Sequence, residues 1–261
     1  MTWIFEDVAI VSPTDRELLL NYLAQRNIKP EGYFHEALQD DEGSHWRYPA
    51  FAVKHFASCQ KLQGKLKLLC SRRGRDDNDV ERNYQNQLVE FRALYALTAL
   101  MGYQFTGLDE PSGKPYAGAG TDCDIALTRS GKTVFADAKD SSGEILSQDE
   151  VEHVIIEGES TRIRQYEPKV EVDGWLRGQI RDVDRKGADL LVCYLPGWKF
   201  RGFEPPELKE YLNSILPKVL TWTSDRPHWT IASNGVQQVV IVKPMGCFVI
   251  ELSGINATQH Q

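Results

Sequence analysis

The chain has 261 residues, 41% of them hydrophobic, enough for one large domain or one domain with a smaller attachment. Its formal charge of −7 excludes a global positive field that would draw it to nucleic acid, so any such contact must come from a local basic patch. The start, MTWIFEDVAIVSPTDRE, lacks the apolar centre of a signal peptide, and no run reaches the ~18 apolar residues of a membrane span. The five cysteines, Cys59, Cys70, Cys123, Cys193 and Cys247, include no CxxC and read as reduced thiols. The expectation is a soluble, cytoplasmic protein without membrane contact.

Residues 1–75 read as a small α-rich accessory unit. Thr14 and Glu17 offer a capping box for a helix over DRELLLNYLAQRN. After the turn-rich EALQDDEGSHW, the piece from Ala57 to Arg75 holds Lys61, Lys65, Lys67, Arg72, Arg73 and Arg75 and no acid. These six are the best candidates for phosphate contacts. Tyr48, Phe51 and Phe56 stand nearby, although core packing is their commoner use. The unit suits a DNA-reading attachment and a packing or dimerisation domain equally well. RRGRDDND is a polar break, placing the domain boundary there and a second domain over 76–261.

The second domain opens with a helix over about 80–101, closed by Gly102. A hairpin follows, with Ser130-Gly131 as its turn. Residues 140–174 are acidic and show no clear period. GWLRGQIRDVDRKG is a second helix, its Leu176, Ile180 and Val183 at helical spacing and Gly187 at its end. Gln179 borders that stripe, while Arg177, Arg181 and Arg185 recur along the helix. Gln179 and Arg181 join the nucleic-acid candidates, although such arginines are more often a solvated face. ADLLVCYLPG reads as a buried strand, PPELKEYLNSILPKVL as a late helix, and QQVVIVK and CFVIEL as two short strands. This order predicts an α/β protein with a mixed sheet flanked by helices.

The hairpin carries chemistry. A symmetric two-residue loop pairs Arg129 with Lys132, which sets Asp124 across from Asp137 and Asp122 across from Lys139. Facing side chains lie roughly 5 Å apart, so two carboxylates there repel unless a cation joins them. A hard ion such as Mg²⁺ takes carboxylate oxygens at about 2.1 Å. Alternation puts Asp137 and Lys139 on one face, so the lysine would sit beside the ion. A solvent-facing charged hairpin explains the same residues about as well. Glu90, in line with Leu94, Leu97 and Met101 on the preceding helix, tips the balance as a third acid. Asp122 competes with Asp124; Asp124 is preferred because it faces Asp137 and because Ile125 and Leu127 continue the strand behind it.

These residues resemble the PD-(D/E)xK nuclease superfamily, whose fold is called restriction-endonuclease-like. Glu90 in LVEFRALYALTALMGYQF, Asp124 in DCDIAL, and Asp137 and Lys139 in VFADAKD stand in its order, over about residues 80–196. Cys123 stands where the family's proline would precede Asp124, the second acid is Asp rather than Glu, and the stretch after Lys139 resembles an insertion. The resemblance implies a Mg²⁺-dependent endonuclease acting on DNA, with Mn²⁺ able to substitute. It implies a metal held by Asp124, Asp137, the Ala138 carbonyl and Glu90, with Lys139 orienting or deprotonating the water. Restriction, anti-phage defence, an antibacterial effector role and repair all fit, and paired cuts would call for a homodimer.

Three alternatives stand beside it. A catalytically inactive nuclease-like module would bind nucleic acid or a partner protein. An HNH-type site could use His228 and Asn234 but lacks a second histidine nearby. A small-molecule enzyme would need a phosphate loop, and YAGAGTD precedes a strand rather than a helix.

Overall fold

The computed structural model describes residues 4–5, 12–39, 45–115, 117–118, 120–140, 151–156, 159–164, 169–194, 210, 236–243 and 246–252. A two-residue strand, β1 (Ile4–Phe5), precedes four helices, α1 (Pro13–Gln25), α2 (Gly32–Gln39), α3 (Arg47–Phe56) and α4 (Gln60–Leu69). Helix α1 starts from Ser12, not from Thr14. Pro13 takes the first helical position, where its missing N–H costs nothing, and Ser12 N donates to Asp15 Oδ2 at 2.8 Å. The Thr14/Glu17 box is therefore replaced by one starting two residues earlier.

Helix α5 (Asp77–Tyr95) is capped by Asp76, whose carboxylate accepts the Asp79 N–H at 2.9 Å. It runs on into a π-helical turn over Ala96–Leu100, and Gly102, at φ 72°, ends it in the left-handed region. Strands β2 (Gln104–Pro111), β3 (Asp122–Arg129) and β4 (Lys132–Asp140) follow. A separate two-stranded ladder, β5 (Val151–Ile156) with β6 (Glu159–Arg164), occupies the stretch in which the sequence shows no period. Then come α6 (Lys169–Lys186), β7 (Leu190–Tyr194), β8 (Gln238–Lys243) and β9 (Gly246–Glu251). The late helix expected over PPELKEYLNSILPKVL falls outside the described residues except at Glu210, and His228 and Asn234 fall outside them too.

The main sheet has the order β1-β9-β8-β7-β4-β3-β2. Strands β2, β3 and β4 form an antiparallel meander, β7 pairs parallel with β4, and β8 pairs parallel with β7. The chain is thus α/β, a mixed sheet flanked by helices. Strand β7 is buried at every position, as the apolar run LLVCY requires of a strand with parallel neighbours on both sides.

Helix α5 is the spine. Leu88, Leu94 and Leu97 are buried, and Tyr95 receives the ring edges of Tyr48 and Phe51 at centroid distances of 5.6 and 5.0 Å. Tyr48 and Phe51 therefore belong to the core. The same apolar cluster runs from Leu19 on α1 through α5 to Cys247 on β9, so helices on both sides of residue 75 share it. Among the described residues no helix is long and apolar enough to cross a membrane.

Candidate active site

The β3–β4 hairpin turns at Ser130 and Gly131, with φ of 51° and 74°. Positive φ at both central residues is what a two-residue type I′ turn requires. The ladder runs from Arg129 opposite Lys132 to Ile125 opposite Ala136. Beyond that pair the Asp124 carboxylate takes over from the backbone, Oδ2 accepting the Ala138 N–H at 2.8 Å. The same register brings Asp124 level with Asp137. Asp122 is exposed at the start of β3, opposite Pro111.

Two further acids meet Asp124. Glu90 descends from α5, one turn before buried Leu94. Asp109 comes from β2, where Leu108 pairs with Ile125 and Glu110 with Cys123, so Asp109 lies level with Asp124. Its φ of 50° is left-handed, a conformation Asp tolerates better than most residues. Oxygens of Glu90, Asp109 and Asp124 lie within 4.8 Å of one another.

Three lysines answer these acids. Lys65 Nζ, delivered by α4, lies 2.5 Å from Glu90 Oε2 and 2.6 Å from Asp109 Oδ1. Lys139 Nζ bridges Asp137 Oδ2 at 2.9 Å and Asp182 Oδ2 at 2.6 Å. Lys186 Nζ lies 2.6 Å from Asp137 Oδ1 and 3.9 Å from Asp124 Oδ1. Asp182 and Lys186 are four residues apart on α6 and so share a face. Asp137 is fully buried between its two lysines.

Five carboxylates against three ammonium groups leave the cluster negative when all are ionised. Burial, then the charges of Asp137 and Glu90, push the Asp124 carboxyl well above its ordinary range. Burial likewise raises Glu90, against the pull of Lys65. For Lys139, burial works to lower the ammonium but Asp137 and Asp182 outweigh it, holding it above its usual value. Lys139 is therefore a cation at neutral pH. A cluster short of positive charge, with hard oxygen donors, is chemically suited to a hard divalent cation.

The structure thus brings together Glu90, Asp124, Asp137 and Lys139, with Ala138 engaged through its N–H. The basic stretch divides. Lys65, only 8% exposed, lies inside the acid cluster rather than on an open face. Lys61 is exposed and donates to the Asp109 carbonyl at 2.7 Å and to Glu110 at 2.9 Å. Lys67, Arg72, Arg73 and Arg75 are exposed, Arg72 pairing with Asp77 at 2.9 Å. On α6, Arg181 is exposed and Gln179 half-buried. Sequence reasoning missed Asp109, Asp182 and Lys186; only the four-residue spacing of the last two was a readable signal. No protein-family model matches the chain, and no curated protein or solved structure matches it at a significant level.

Proposed function

We propose that this chain is a metal-dependent deoxyribonuclease of the PD-(D/E)xK type, hydrolysing phosphodiester bonds of DNA. The observation that carries the reading is the convergence of Glu90, Asp124, Asp137 and Lys139, which come from a helix and two strands. Apart from the β5–β6 ladder inserted between β4 and α6, the element order α5, β2, β3, β4, α6, β7, with β7 parallel to β4, agrees with the restriction-endonuclease-like arrangement that the resemblance implies.

Asp124 and Asp137, with the Ala138 carbonyl and Glu90, are the residues that would hold Mg²⁺. The bound ion would acidify a water and neutralise the phosphate. Lys139, beside Asp137 and Asp182, would orient or deprotonate the attacking water and stabilise charge on the phosphate oxygens. Asp182 shares the Lys139 ammonium with Asp137. The exposed Lys67, Arg72, Arg73, Arg75 and Arg181 supply backbone contacts without sequence information. Restriction or anti-phage defence and an antibacterial effector role both suit such an activity, and paired cuts in a duplex would call for a homodimer.

The test is nicking of supercoiled plasmid with Mg²⁺, with Mn²⁺ and with EDTA. Asp137→Ala and Lys139→Ala should each slow nicking by about 100-fold or more while leaving far-UV circular dichroism unchanged. Equal nicking by wild type and both variants would sink the assignment. One observation favours a second reading, a nuclease-like module that binds nucleic acid or a partner protein without cutting: Lys65, Lys139 and Lys186 already pair with the acids. Duplex binding without cleavage under all three conditions would support it.

A further inference from the structure

Lys65 differs from the other two lysines of the cluster in how it is held. Helix α4 is pinned by Leu62, Leu66 and Leu69, which are 0%, 0% and 1% exposed. The ammonium is carried to its two carboxylates by a packed helix, and its side chain is 10% exposed. Lys139 and Lys186 are more open, at 19% and 23%. The Lys65 contacts, at 2.5 and 2.6 Å, claim one oxygen each of Glu90 and Asp109. A divalent ion ligated by both residues needs those same lone pairs at about 2.1 Å, so ammonium and ion exclude each other there. A tethered cation also competes at an effective concentration that a free ion in the millimolar range does not exceed. Asp124 is the opposite case: its nearest ammonium among the described residues, that of Lys186, is 3.9 Å away.

We propose that Lys65 stands in for a second cation between Glu90 and Asp109, so that the protein takes one divalent ion, the one centred on Asp124 and Asp137, and not two. This rests on the metal-site reading above and fixes its stoichiometry. The α4 helix is then part of the catalytic centre, supplying a permanent charge where a two-ion site would place an exchangeable one.

The experiment is calorimetric titration of Mn²⁺ into the full chain, wild type beside Lys65→Met, Lys65→Arg and Asp109→Asn, with near-UV circular dichroism to score folding. One ion is expected in wild type and in K65R, and two in K65M. In D109N the single ion should still bind, weakened by no more than the roughly 100-fold that loss of a neighbouring group costs, because Asp109 is engaged by Lys65 and not by the ion. Two ions in wild type, or one ion in a folded K65M, overturns the proposal and leaves the nuclease reading intact. If K65M does not fold, D109N decides alone: a loss beyond about 100-fold, more than a neighbouring group that does not ligate accounts for, places the ion on Asp109 and overturns the proposal. A wild type that takes no Mn²⁺ overturns the metal-site reading, and this proposal with it.

Discussion

At the residue scale, Asp15 shows how one carboxylate joins two elements. It closes the first turn of α1 through Ser12 and reaches Lys54 on α3 at 3.1 Å. Burial alone would raise its carboxyl, but the Ser12 N–H and then the Lys54 ammonium hold it below the ordinary 3.8. A folded value below the unfolded one means that the stabilisation is complete above 3.8 and is lost as pH falls through the lower folded value. Asp15→Asn should therefore cost about 1 kcal/mol at pH 7, most of it from the cap, because half-exposed Lys54 is screened. Urea midpoints against pH check this. The gap between wild type and variant should narrow below pH 4, and a gap that stays constant to pH 3 would refute the linkage. The cap also shows where reading from sequence is ambiguous. SPTDRE contains Ser-x-x-Asp and Thr-x-x-Glu in overlapping frames, and only Pro13, fitted to the first helical position, selects the former.

At the element scale, the hairpin was legible because its information is local: two residues at the turn set every later pair, and with it the level of Asp124 and Asp137. Glu90 was legible because a carboxylate in an apolar stripe is out of place. Asp109, Asp182, Lys186 and the buried position of Lys65 were not, since their meeting depends on strand order and on how α4 and α6 pack, which no local period encodes. The β5–β6 ladder was hidden because its strands mix charged and apolar residues without strict alternation. Gly187 closes α6. It sits at φ 75° directly after Lys186, and an added Cβ would run into Ser112, whose hydroxyl donates to the Lys186 carbonyl at 2.9 Å. Gly187→Ala should cost about 1–3 kcal/mol through left-handed strain and that collision. Chemical denaturation reads the loss, and an unchanged midpoint would mean that the end of α6 carries no constraint.

At the scale of the whole molecule, the helices before residue 75 act as a wall of the core. Tyr48 and Phe51 cover Tyr95, and Tyr33 stacks on Tyr84 at 5.9 Å. Deleting residues 1–75 would expose those faces and also strip Lys65 from Glu90 and Asp109. The shortened chain, residues 76–261, should fail to give a cooperative thermal transition, whereas the full chain gives one. A sharp transition from the fragment would show that the second part folds alone and that the shared apolar cluster is a docking contact.

Strand β2 ends the main sheet with β3 as its single ladder partner among the described residues. An outermost strand invites addition of a foreign strand, and its remedies are charge, proline and occupied carbonyls. All three occur here: Asp109 and Glu110 carry charge, Pro111 offers no N–H, and Lys61 already takes the Asp109 carbonyl. The edge nearest the acid cluster is thereby a poor template for self-association, so the chain can keep a charged cluster beside a terminal strand without inviting polymerisation.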